Sequence, residues 1–161
     1  MNKELSPSAR KVQESLDSAG VTCRVRELEV SARTAAEAAE AVGCQVGQIV
    51  KSLIFRGKSS GNPILALASG KNRVDEKLME AACGEPVGKA DAAFVRERTG
   101  FAIGGIPPLG HTTPLVPYLD ADLLQYGTVW AAAGTPNAVF EVDPKALRDA
   151  TGAMVIGIKG A

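Results

Sequence analysis

Aromatic side chains are scarce, at 4% of the 161 residues against 45% for the hydrophobic set as a whole. The interior must therefore be assembled from Ala, Val, Leu and Ile, and a broad stacking platform for single-stranded nucleic acid is disfavoured. Charge of one sign is also lacking: Lys plus Arg number 18 and Asp plus Glu number 18. Without a global field, the chain is no coater of long polyanions. There is one histidine, His111, and the three cysteines, Cys23, Cys44 and Cys83, form no CxxC pair. That set is too sparse for a zinc or iron site, so no metal and no redox cofactor is expected. The thiols are expected to be reduced and mostly buried, as in a cytoplasmic protein. No apolar run approaches the roughly 18 residues of a membrane span, and the charged start, Met1 to Val12, lacks an apolar h-region. Export and membrane insertion are accordingly not expected.

What is present suits one domain over residues 1–161, long enough to bury roughly 70% of the surface its unfolded chain would expose. Its charge is unevenly spread. Residues 51–100 carry nine basic and six acidic side chains, whereas residues 101–161 carry three and five. Phosphate contacts, if any, belong to the middle third.

Local signals divide the chain into alternating helices and strands. Ser6 and Pro7 open a helix that shows Val12, Leu16 and Ala19 on one face and stops at Gly20. Cys23 and Val25 alternate with Arg24 and Arg26 as in a half-wet strand. Thr34 and Glu37 form a capping box for an alanine-rich helix that ends at Gly43. The apolar runs 49–55 and 64–68, joined by turn residues, read as a β-hairpin. Asp75 caps a helix through Ala82, Asp91 another through Thr99, and Asp143 with Pro144 opens a last one that closes at Gly152. Strands are expected around 115–119, 128–132 and 138–142. Hairpin spacings mixed with helices predict an α+β fold with a mixed, curved, barrel-like sheet flanked by helices.

Three segments could carry chemistry. Gly57-Lys58-Ser59 imitates the end of a phosphate-binding loop, but Ser52 stands where that motif needs glycine, and the segment lies between strands; it reads as a hairpin turn. Lys51 begins an otherwise apolar strand, so its ammonium must either snorkel to solvent or meet an anion. In Gly104-Gly105-Ile106-Pro107-Pro108-Leu109-Gly110, two glycines admit a ligand to the backbone N–H groups and two prolines stiffen the exit. Such a loop is either a cradle for a carbonyl oxyanion or a rigid turn.

Together, the strand 49–55 with Lys51, the run 64–69 leading into Arg73-Val74-Asp75, and the loop 104–110 resemble the YbaK/ProX family, from about Val12 to Leu147. These are freestanding relatives of the editing domain of bacterial prolyl-tRNA synthetases. The resemblance implies a pocket for the aminoacylated 3′ adenosine of a mischarged tRNA, and a hydrolase that cleaves the ester to a small wrong amino acid. Lys51 resembles the family's required lysine, and Gly104, Gly105 and Pro108 its catalytic loop, with Ile106 beside them as a substrate contact. Water would be positioned by substrate hydroxyls and backbone donors, without a protein base. Arg73 could reach a phosphate, whereas Asp75 reads as a helix cap. His111 could hydrogen-bond the acceptor end, assist proton transfer or simply face solvent. Gly134 and Thr135 resemble the small-residue loop bordering the pocket, or form a tight turn. Leu28 and Ala132 stand where some cysteinyl-tRNA deacylases of the family have tyrosine and serine, so that specificity does not carry over. Implied partners are mischarged tRNA and a synthetase in transient complex, with a monomer or a homodimer as the assembly. Two non-enzymatic alternatives are a nucleotide or acceptor-end binding module of the same fold and a silent regulator tied to a synthetase.

Overall fold

The computed structural model describes residues 5–159. Capping chemistry sets the helix boundaries. Ser6 accepts the Ala9 N–H at the start of α1 (Pro7–Ser18). Thr34 and Glu37 exchange side-chain-to-backbone hydrogen bonds of 3.1 and 3.2 Å ahead of α2 (Ala35–Val42), which Gly43 closes at φ 75°. Asp75, Asp91 and Asp143 cap α3 (Glu76–Cys83), α4 (Ala92–Thr99) and α5 (Pro144–Thr151). Each cap contributes about 1 kcal/mol, enough to place a short helix whose apolar face alone would leave its ends undefined. Among the described residues, all five α-helices lie where the sequence signals put them.

The strands are β1 (Val25–Glu27), β2 (Ile49–Gly57), β3 (Pro63–Ser69), β4 (Val87–Lys89), β5 (Tyr118–Asp120), β6 (Val129–Ala132), β7 (Ala138–Val142) and β8 (Met154–Ile156). They form one curved, mixed sheet in the order β1-β7-β6-β2-β3-β5-β8, with β4 also on β2. The pairs β6/β2, β3/β5 and β5/β8 are parallel and the others antiparallel. This is the α+β class that the sequence pointed to. The expected early strand begins later, at Val25, because the α1 side chain Gln13 ties down the approach to it. Gln13 Nε2 donates to the Cys23 carbonyl at 3.0 Å and Oε1 accepts the Val25 N–H at 2.8 Å. The expected strand at 115–119 shifts to 118–120, since Pro114 and Pro117 cannot donate to a ladder. Strands β4 and β8, three residues each, are too short to announce themselves by alternation.

The main core packs Val12 and Leu16 of α1 against Leu65 and Leu67 of β3, Phe140 of β7 and Leu147 of α5, all 0 to 1% exposed. A second, smaller cluster joins Ile49, Trp130 and Val139 to Ala38 and Ala39 of α2. The segment 57–59 is indeed a hairpin turn. Its Ser59 and Ser60 N–H groups hold the Glu85 carboxylate at 3.0 and 2.9 Å, which keeps that carboxyl's pKa below its ordinary value. The three cysteines are free, but half-buried rather than buried as expected.

One irregularity of the sheet matters for function. Strand β2 meets β6 only at Ile49 and Val50, and β4 only at Phe55 to Gly57. Between those contacts, residues 51–54 pair with β3 alone. Strands β6 and β4 thus diverge like a fork, leaving one edge of β2 uncovered at Lys51.

Candidate active site

A chamber of about 350 Å³ occupies the fork. Its apolar wall is the smaller cluster, with Ile49, Trp130 and Val139 facing Ala38 and Val42 of α2. Its polar lining is confined to a few residues. Lys51 and Ser52 come from β2, Arg33 and Thr34 from the loop before α2, and Gly104 with Ile103 and Ile106 from the glycine loop. A larger, more open groove of about 780 Å³ runs along α1 and β1, but none of the candidate catalytic or substrate-binding residues borders it.

Lys51 neither snorkels freely nor meets an anion directly. Its Nζ donates to the Asn72 carbonyl at 2.6 Å. Burial pulls its pKa below the ordinary 10.5, and the Asp120 charge pushes partway back. An ammonium bound to one carbonyl keeps two further N–H donors, so the side chain is held in place with capacity to spare for a ligand.

The two glycines of the loop differ in role. Gly104 sits at φ +101° at the chamber wall, and a Cβ there would meet the Arg33 side chain at 3.1 to 3.4 Å. Its N–H has no protein acceptor among the described residues. Gly105 lies behind it, outside the chamber lining. Its N–H is committed to the Ala102 carbonyl at 3.2 Å, and its own carbonyl accepts the Gly134 N–H at 2.8 Å. A Cβ on Gly105 would lie 2.7 Å from the Thr135 backbone. The loop at Gly134 and Thr135 is therefore a support pressed against the back of the glycine loop, and Gly134 itself abuts the Ser8 carbonyl of α1.

Of the residues expected from sequence, the fold brings Lys51, Gly104 and Ile106 together around the chamber. Gly105, Gly134 and Thr135 form its backing, and Pro108 is buried away from it. Arg73 is exposed beside Asn72, outside the lining. His111 is engaged by the glycine loop and by Phe101. Its Nε2 lies 2.7 Å from the Pro107 carbonyl, its ring meets Phe101 edge-on, and burial lowers its pKa. Sequence reasoning missed Arg33 and Ser52. Arg33 is exposed at the rim without an acidic partner among the described residues. Ser52 Oγ is buried without a hydrogen-bond partner, a state that costs about 1 to 3 kcal/mol until something fills it. The only available signal was position: Arg33 precedes the capping box and Ser52 follows the strand lysine. Among the described residues, no three His, Cys, Asp or Glu side chains cluster as metal ligands would, and no helix is long and apolar enough to cross a membrane.

Comparison with known proteins falls on the same elements. Residues 29–150 match the family model of the aminoacyl-tRNA editing domain. The crystal structure of a candidate trans-editing enzyme for prolyl tRNA synthetase superposes with a TM-score of 0.92 at 53% identity, covering 98% of this chain and 100% of that one. YwhH, an uncharacterized protein of Bacillus subtilis (strain 168), is 36% identical over 125 residues, 78% of this chain and 79% of its own. EbsC of Enterococcus faecalis (strain ATCC 700802 / V583), a candidate Cys-tRNA(Pro)/Cys-tRNA(Cys) deacylase, is 29% identical over 119 residues, 73% of this chain and 72% of its own.

Proposed function

The chain belongs to the aminoacyl-tRNA editing domain family, and on that footing we propose that it is a freestanding hydrolase that removes a small, wrongly attached amino acid from tRNA. The observation that carries this reading is the chamber itself. Lys51 and an uncommitted Gly104 N–H border one apolar space of about 350 Å³. That volume lies at the small end of ligand pockets, roughly 300 to 1,000 Å³, and suits the end of a tRNA with a small side chain rather than a bulky one.

In this mechanism Lys51 holds the terminal nucleotide by a charge-assisted hydrogen bond. The apolar wall takes up the amino-acid side chain. Gly104 supplies a backbone N–H to the carbonyl oxygen as it gains charge, a contribution of roughly 3 kcal/mol for a well-aimed donor. Water attacks the ester carbon, the ester C–O bond breaks, and the leaving ribose oxygen takes a proton. No His, Asp or Glu side chain lines the chamber, so the water is oriented by substrate hydroxyls and backbone groups. Pro108 stiffens the loop from behind, and Gly105, Gly134 and Thr135 fix its height. Arg33, at the rim, is better placed than Arg73 to meet a phosphate.

The same lack of an acid or base in the lining favours one alternative, a module of this fold that binds the acceptor end without cutting it. A panel of tRNAs carrying different wrong amino acids, incubated with the pure protein, separates the two. Release confined to small side chains is expected; tight binding with no release of any amino acid would establish the binding module instead.

A further inference from the structure

The position of Lys51 is set by a carboxylate that no sequence motif announces. Asn72, whose carbonyl holds Lys51 Nζ, is 3% exposed and has its own side chain clamped. Its Nδ2 donates to Asp120 Oδ2 at 2.8 Å and to Asp122 Oδ2 at 2.7 Å. Asp120 is 1% exposed. Its Oδ2 also accepts the Ser69 N–H at 2.9 Å, and its Oδ1 accepts the Asp122 N–H at 2.9 Å. Ser69 pairs with Val50 in the β2/β3 register, one step from Lys51. The carboxylate is thus fastened to the strand alongside the lysine and, through Asn72, to the carbonyl that the lysine grips.

A purely structural duty does not use up this arrangement. Capping the short 3-10 helix Ala121–Gln125 occupies Oδ1 alone. Among the described residues no Lys, Arg or His nitrogen comes within 4.0 Å of Asp120, so a buried negative charge is retained on neutral donors. Burying a charge is costly and is tolerated where hydrogen bonds and a nearby opposite charge compensate. Here the nearest use for it is the half-buried ammonium of Lys51.

We propose that Asp120 is the positioning residue of the active-site lysine, holding the Asn72 carbonyl in register with Nζ and setting a carboxylate behind the ammonium at the chamber. The proposal rests on the deacylase reading for its consequence in activity, but not for its consequence on Lys51. Of the other charged groups on the neighbouring elements, Asp122 accepts from the same Asn72 amide, Lys71 and Arg73 flank Asn72 in the chain, and Arg33 borders the same chamber. Asp120 is the charge that acts on the Lys51 ammonium. Burial lowers the lysine's pKa and Asp120 raises it. Neutralising Asp120 therefore moves Lys51 titration to lower pH, and an activity that needs the ammonium loses its alkaline limb earlier.

Two variants and two readouts test this. The Lys51 side-chain NMR signal, assigned by its loss in Lys51→Arg, is titrated in the parent, Asp120→Asn and Asn72→Ala. Single-turnover hydrolysis of mischarged tRNA is measured across pH in the parent, Asp120→Asn and Asn72→Ala. Asp120→Asn is expected to shift both the Lys51 titration and the alkaline limb downward. Asn72→Ala frees the loop but keeps the Asp120 charge, and is expected to slow turnover roughly tenfold or more through misplacement of Nζ. A folded Asp120→Asn protein whose Lys51 titrates as in the parent overturns the proposal, whether or not the parent hydrolyses any tRNA. If Asp120→Asn does not fold, Asn72→Ala turning over at the parent rate overturns it. A parent that hydrolyses nothing while Asp120→Asn shifts the Lys51 titration sinks the deacylase reading and supports the role of Asp120.

Discussion

Gly105→Ala is the substitution whose cost the structure fixes best. The new Cβ would sit 2.7 Å from Thr135 Cα and C and 2.8 Å from Thr135 N, and those are backbone atoms with no rotamer to escape into. The glycine loop must lift away from the loop behind it, which breaks the 2.8 Å bond from the Gly134 N–H to the Gly105 carbonyl. Overpacking of this kind costs about 1 to 3 kcal/mol, and the lost hydrogen bond about 1 kcal/mol, for a total of about 2 to 4 kcal/mol. In a domain of this size that lowers Tm by roughly 5 to 15 °C. Gly104→Ala behaves differently. Its neighbour is the flexible Arg33 side chain, so the main penalty is the positive φ, about 1 to 2 kcal/mol. Thermal unfolding of both variants, with hydrolysis measured well below either Tm, is the assay. Gly105→Ala is expected to lose more stability, and Gly104→Ala more rate for each degree of Tm lost. A Gly105→Ala protein melting within about 2 °C of the parent would refute the backing role assigned to the Gly134 and Thr135 loop.

Three other outcomes follow from the same geometry. His111→Ala should change the hydrolysis rate only modestly, and a drop of order 10³ would instead make His111 a general base. Because burial depresses its pKa below the ordinary 6.5, the unfolded chain takes up that proton first. The stability tied to the neutral ring is therefore present above pH 6.5 and lost as pH falls from there to the folded value. Denaturant melts of parent and His111→Gln between pH 7.5 and about 5 should show that slope in the parent and its absence in the variant. Hydrolysis should survive exhaustive EDTA treatment, since Cys23, Cys44, Cys83 and His111 do not converge; inhibition reversed by zinc would contradict this.

The caps made the helices legible. Thr34 with Glu37, and Asp75, Asp91 and Asp143, act within three residues of themselves, so sequence spacing carries their geometry directly. The same holds for the β2/β3 hairpin. What sequence could not supply was depth. Gly104 and Gly105 are equivalent as letters, yet one borders the chamber and the other is pinned to Thr135, thirty residues further along the chain. The fork that creates the chamber arises from where β6 and β4 stop pairing with β2, which depends on two distant strands, one of them only three residues long. Asp120 meets Asn72 across 48 positions, and no periodic pattern encodes such a meeting. Lys51 was visible because an ammonium in an apolar strand is anomalous by itself; Arg33 and Ser52, ordinary in their local context, were not.

The central claim is that the chamber in the fork is where an aminoacyl ester is cut, with Lys51 anchoring the substrate. Its most direct test is the single-turnover rate of Lys51→Ala, shown to be folded by its Tm, on the mischarged tRNA that the parent hydrolyses fastest. Loss of a charge-assisted contact of about 1.5 to 3 kcal/mol should slow hydrolysis by roughly 10- to 150-fold at subsaturating protein. A folded Lys51→Ala protein that releases the amino acid at the parent rate would place the chemistry elsewhere.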